Sequence, residues 1–102
     1  MGYVLFYETA PDALPVIPIH LPAHSERTRE FQARGSLLMT GPFANPMDGA
    51  MSVFTTREAA EEFIAGDPFV LNGVVSSWRI ADWNEAFSRE PVAKDGAGSA
   101  NR

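Results

Sequence analysis

The chain has 102 residues, of which 45% are hydrophobic, no cysteine, and thirteen acidic against eight basic side chains, for a net charge of −5. That length admits one domain and not two, and the apolar share suits a packed core. Zero cysteine excludes disulfides and thiolate chemistry, while the acidic balance and a single lysine, Lys94, argue against a nucleic-acid partner, which needs clustered Lys and Arg to neutralise phosphate.

The opening Met1-Gly2-Tyr3-Val4-Leu5-Phe6-Tyr7-Glu8 has no basic residue before its apolar run, so it does not read as a secretory leader. Phe6 stands where a myristoylation signal needs Ser or Thr. No apolar stretch reaches the ~20 residues that cross a bilayer. The expectation is a cytoplasmic protein with no membrane partner.

Residues 3–7 are aromatic and aliphatic throughout and predict a strand buried on both faces. Four prolines follow, Pro11, Pro15, Pro18 and Pro22, a density that predicts an ordered loop. Pro22 suits the first position of a helix, running to Arg34 with Gly35 as its left-handed cap. Its inward stripe is Leu21, His24, Thr28 and Phe31, and Glu30 and Arg34 make an i, i+4 pair on the outer side.

Residues 36–40 predict a second strand stopped by Gly41-Pro42, and residues 50–55 a third. The turn formers Asn45-Pro46-Met47-Asp48-Gly49 join the two as a hairpin. Thr55 and Glu58 fit a capping box at the head of a second helix, residues 56–65, which buries Ala59, Ala60, Phe63 and Ile64. Gly66 ends it, Asp67-Pro68-Phe69 forms a tight turn, and Gly73 precedes a fourth strand over 74–81. Trp83 and Phe87 are expected to dock a short final turn. The folded domain spans 1–88, and the Gly, Ala, Ser and charge-rich residues 89–102 are expected to be a flexible tail.

The order β-α-β-β-α-β is the ferredoxin-like pattern of the α+β class. Helices cover one face of such a sheet, whereas these strands carry apolar groups on both. A large uncovered apolar face is avoided by soluble monomers, and pairing two sheets in a two-fold homodimer removes it.

The sequence also resembles the YCII-related proteins from about Tyr3 to Trp83. The resemblance is carried by Pro22-Ala23-His24, by Gly35 eleven positions after that His, and by Leu37-Leu38-Met39-Thr40-Gly41-Pro42. It continues through Asp48-Gly49, Glu58-Ala59, Asp67-Pro68-Phe69 and Gly73. It implies a dimeric α+β barrel of ferredoxin-like protomers, similar in architecture to muconolactone isomerase. It also implies an active site built on a His–Asp pair, here His24 and Asp67. One branch of the family removes chloride from a chlorinated hydroxyhydroquinone. The chain departs from the family where Pro18, Ile19, His20 and Leu21 lead into the Pro-Ala-His segment, a place where members often carry Arg.

His24 shares a helical face with Phe31, so it points toward the sheet; its bland reading is a half-buried imidazole satisfied by backbone. A carboxylate beside it would fix its tautomer for acid–base work near neutral pH. Asp67 alone reads as a turn-initiating residue before Pro, and a functional role requires a short His24–Asp67 hydrogen bond. His20, Phe43, Asp48 and Phe69 are candidate substrate-binding residues around the pocket. His20 and His24 have the i, i+4 spacing of zinc ligands, but Pro22 places His20 ahead of the helix and no third ligand is evident, so no metal is expected. No Gly-rich phosphate loop occurs, and no cofactor is expected. Ser36 and Ser52 lack the helical elbow of a serine nucleophile.

Two functions follow. The first is a small cofactor-independent lyase or isomerase in which His24 moves a proton and Asp67 orients it on a small cyclic or aromatic acid or phenol. The second is a non-catalytic module that binds or senses a small molecule.

Overall fold

A computed structural model describes residues 1–87. The expected tail, 89–102, lies outside the described residues, as does Ser88. The elements are β1 (Gly2–Thr9), α1 (Ile17–Ala33), β2 (Leu37–Pro42), β3 (Ala50–Phe54), α2 (Arg57–Gly66), α3 (Pro68–Leu71) and β4 (Val75–Trp83), with one-turn 3-10 segments at Leu14–Val16 and Pro46–Asp48. One four-stranded sheet has the order β2-β3-β1-β4, every neighbouring pair antiparallel. This is the ferredoxin-like α+β fold that the element order implies.

Register explains why residues 3–7 of β1 are apolar on both faces. Leu5 and Tyr7, facing Ser52 and Ala50 across one seam and Ile80 and Trp78 across the other, point to the helices and join Phe31, Leu37, Phe54, Ala60, Phe63 and Ile64 in the main core. Val4 and Phe6, facing Val53 and Met51, lie on the opposite side because strand residues alternate faces. A second cluster, Ala10, Ala13 and Val74 with Val16, Ile17 and Phe69, fills the end of the molecule where α1 begins.

Several elements differ from their sequence-based forms: β2 runs on through Gly41-Pro42 rather than stopping there, and Asp67-Pro68-Phe69 opens the short helix α3 rather than a plain turn. Helix α1 starts at Ile17, with Pro18 in its first turn and Pro22 inside it. Proline fits the opening turn because those N–H groups have no partner anyway, and the burial of Ile17 beside Ala13 and Val74 carries the helix back past Pro22. His20 is therefore helical. The cap of α2 is Thr56, whose hydroxyl accepts the Ala59 N–H at 3.1 Å; Thr55 instead extends the ladder by donating its N–H to the Ser36 carbonyl. Trp83 is the last residue of β4, opposite Gly2, and Phe87 is 97% exposed, so neither docks a final turn. Other features match: Gly35 has φ 81°, and Arg34 and Glu30 pair at 3.2 Å. No helix among the described residues is long and apolar enough to cross a membrane.

Candidate functional site

The site forms where α1 crosses the sheet beside the junction of α2 and α3. Asp67 occupies that junction. Its backbone closes α2 and its carboxylate opens α3, with Oδ1 accepting the Phe69 N–H at 3.1 Å. An Asp before a Pro suits this role, since its side chain can bond the backbone two residues on. The carboxylate is fully buried, where a charge survives only if it is well partnered. Two further donors reach it: Nδ1 of His24, 2.7 Å from Oδ1, and the hydroxyl of Tyr7, 2.7 Å from Oδ2.

His24 comes from the inward face of α1, and its side chain is 19% exposed. The ring stacks flat on Phe69, 3.9 Å between centroids and 11° between planes, and meets the edge of Phe63 at 6.2 Å. Because the Asp67 oxygens accept, Nδ1 carries the hydrogen of that bond, which leaves Nε2 as the free nitrogen in the neutral ring. Nε2 has no hydrogen-bond partner among the described residues, and the ring lines a cavity of about 500 Å³. Burial, reinforced by the neighbouring Asp67 charge and hydrogen bond, pushes the Tyr7 phenol far above its ordinary range. It therefore stays a donor to the carboxylate.

The cavity wall is mixed: Ile17, Leu21, Phe69, Val74 and Val75 are its apolar part, and Thr28 and Arg29 of α1 with Thr40 and Ser52 of the sheet are polar residues on it. Arg27 stays out of it. Its guanidinium donates to the carbonyls of Glu62 and Phe63 at 2.7 and 3.1 Å, capping the end of α2, and lies over the Phe31 ring at 5.0 Å.

Of the candidate residues, His24, Asp67 and Phe69 meet here. His20, Phe43 and Asp48 are not among the cavity-lining residues; Asp48 ends the 3-10 turn between β2 and β3, whose Pro46 and Gly49 line the wall instead. The sequence reading missed Tyr7 by treating the first-strand aromatics as core packing. Its signal was a phenol in a strand buried on both sides, where the hydroxyl requires a partner. Among the described residues no group of three or more His, Cys, Asp or Glu is placed to hold a metal ion.

A family model for the YCII-related domain matches residues 1–84. No curated protein is significantly similar to the chain. Among solved structures, 5-chloro-2-hydroxyhydroquinone dehydrochlorinase from Burkholderia phenoliruptrix AC1100, in complex with 2,5-dihydroxybenzoquinone, aligns with a TM-score of 0.70 at 18% identity, covering 84% of this chain and 96% of that one. The protein Atu4242 of Agrobacterium tumefaciens aligns with a TM-score of 0.54 at 14% identity, covering 84% and 94%. At such identities the likeness shows a shared fold.

Proposed function

The chain belongs to the YCII-related domain family, and from that membership and the site geometry we propose that it is a cofactor-independent enzyme of the lyase or isomerase type. The single observation that carries this is the 2.7 Å contact of His24 Nδ1 with the buried Asp67, in a ring that lines a cavity sized for a small cyclic or aromatic guest. Pockets of roughly 300–1,000 Å³ take small organic molecules.

In the proposed step, a ring compound lies in the cavity with an acidic C–H or O–H toward Nε2. His24 takes that proton, and Asp67 holds the imidazole in the productive tautomer and offsets the positive charge the ring acquires. Phe69, stacked on the imidazole, fixes the plane in which Nε2 presents its lone pair. The same ring returns the proton to another atom, as in an isomerisation, or to a departing group, as in an elimination. The structurally similar dehydrochlorinase acts on a hydroxylated ring, which supports a guest of this chemical class.

The proposal includes a homodimer. The sheet face turned away from the helices carries Val4, Phe6, Met51, Val53 and Ala81 by register. Val4 and Val53 are already buried within the protomer and Arg79 lies over Phe6, so a second copy laid against that face would cover what remains, the half-buried Phe6, Met51 and Ala81.

The test is to incubate the protein and its His24→Ala variant with a panel of hydroxylated and lactone ring compounds and to follow products by mass spectrometry. A turnover that falls on the order of 10²-fold or more in the variant supports acid–base catalysis. Binding without turnover in the native protein identifies a binding or sensing module instead.

A further inference from the structure

The ionic make-up of the cavity runs against that of the chain. Acidic residues outnumber basic ones by thirteen to eight, yet among the described residues no Asp or Glu lines the cavity, and Arg29 is the one described side chain there with a permanent charge. Four other arginines lie in the described residues, and each is engaged: Arg27 with the carbonyls of α2, Arg34 with Glu30 and Glu62, Arg57 with Asp82, and Arg79 over the Phe6 ring at 4.2 Å. Arg29 alone among the five has, among the described residues, no carboxylate within 4.0 Å, no hydrogen-bonded carbonyl and no ring beneath it.

A second observation concerns the sheet residues that line the same cavity. Thr40 Oγ1 and Ser52 Oγ lie 2.7 Å apart, and Ser52 is 5% exposed. One hydroxyl of this pair donates to the other, so one hydrogen remains with the pair to donate elsewhere. A guanidinium fork and a spare hydroxyl donor on one cavity, with no carboxylate on its wall among the described residues, form a donor set suited to a carboxylate.

Taking the cavity of the proposed enzyme as the premise, we infer that its guests are ring compounds bearing a carboxylate, held by Arg29 with help from the Thr40–Ser52 hydroxyl pair. His24 then faces the ring rather than the acid group. Arg29 is a binding and specificity residue in this arrangement; it selects the anionic guest and takes no part in proton transfer.

Benzoate and its neutral counterpart benzyl alcohol test this, with binding followed by NMR shifts of the full-length protein and its Arg29→Gln and Arg29→Lys variants. Benzoate is expected to bind native protein about ten-fold more tightly than benzyl alcohol, with shifts at residues of the cavity. Arg29→Gln abolishes that preference and leaves benzyl alcohol binding unchanged, Arg29→Lys restores part of it, and added salt narrows it because Arg29 is exposed. Equal binding of the two probes, or a benzoate preference that survives Arg29→Gln, overturns the inference while leaving the cavity as a ring site. If neither probe binds, both the inference and its premise fall.

Discussion

The Tyr7 hydroxyl and His24 Nδ1 hold opposite oxygens of one carboxylate: Tyr7 bonds Oδ2 of Asp67 and His24 bonds Oδ1, each at 2.7 Å. The central strand thereby fixes the carboxylate that orients the imidazole. Tyr7→Phe keeps the ring and deletes the donor, leaving a fully buried acceptor short of a partner. The variant should lose roughly 1–3 kcal/mol of stability, read as a lower urea midpoint.

The same phenol makes stability fall in alkali. Tyr7 holds its proton well above the ordinary 10.0 in the folded protein, while in the unfolded chain it releases it near that value. The stabilisation is fully present below about pH 10, and above it the unfolded state sheds a proton that the folded state keeps, so stability drops by up to about 1.4 kcal/mol per pH unit. Urea melts at increasing pH should show a shallower decline in Tyr7→Phe. Tyrosinate absorbance at 295 nm should lose amplitude on Tyr7→Phe in urea and none in the folded protein.

Asp67→Asn tests the orienting role. An amide offers His24 no fixed negative acceptor, so the imidazole should populate both tautomers, seen in its ring ¹⁵N shifts. Turnover should drop on the order of 10²-fold. A native ¹⁵N pattern in the variant would show that Asp67 does not set the tautomer.

Two glycines with positive φ separate backbone strain from crowding. At Gly49, φ is 108° and an added Cβ would lie 2.0 Å from the Tyr7 carbonyl oxygen; at Gly35, φ is 81° with nothing within 4 Å. Gly35→Ala should cost only the left-handed strain, about 1–2 kcal/mol. Gly49→Ala must also displace β1 or the turn after Pro46, and should cost about 3 kcal/mol or more. Thermal melts of the two variants order them, and equal losses would mean that the loop simply shifts aside.

The proposed homodimer predicts that Met51→Glu, which puts a charge on the sheet face away from the helices, lowers the mass seen by light scattering at micromolar concentration. A native protein already of monomer mass removes the proposal.

How much of this was legible varied with the physics behind each residue. Strands and the buried face of α2 follow from alternation and from three-to-four spacing, so Ala60, Phe63 and Ile64 could be read directly. The start of α1 could not: a proline's fixed φ fits either the head of a helix or its first turns, and only contact of Ile17 with Ala13 and Val74 decides between them. The capping-box reading puts the cap of α2 at Thr55, but the ladder bond of Thr55 to Ser36 leaves that role to Thr56. The pairing of His24 with Asp67 entered through the family resemblance, because no local pattern joins residues 43 apart. Tyr7 and Arg29 needed coordinates, since one phenol in an apolar strand and one arginine on a charged helix look ordinary until their surroundings are known.

The early onset of α1 separates two kinds of change. The proline-punctuated first turns contribute Ile17 and Leu21 to the cavity, while the imidazole, the carboxylate and the phenol sit on later turns and other elements. Substitutions at 17 and 21 can therefore resize the chamber without touching the His24–Asp67–Tyr7 hydrogen bonds. Variants of this chain can differ in what the cavity admits while keeping one hydrogen-bonded triad.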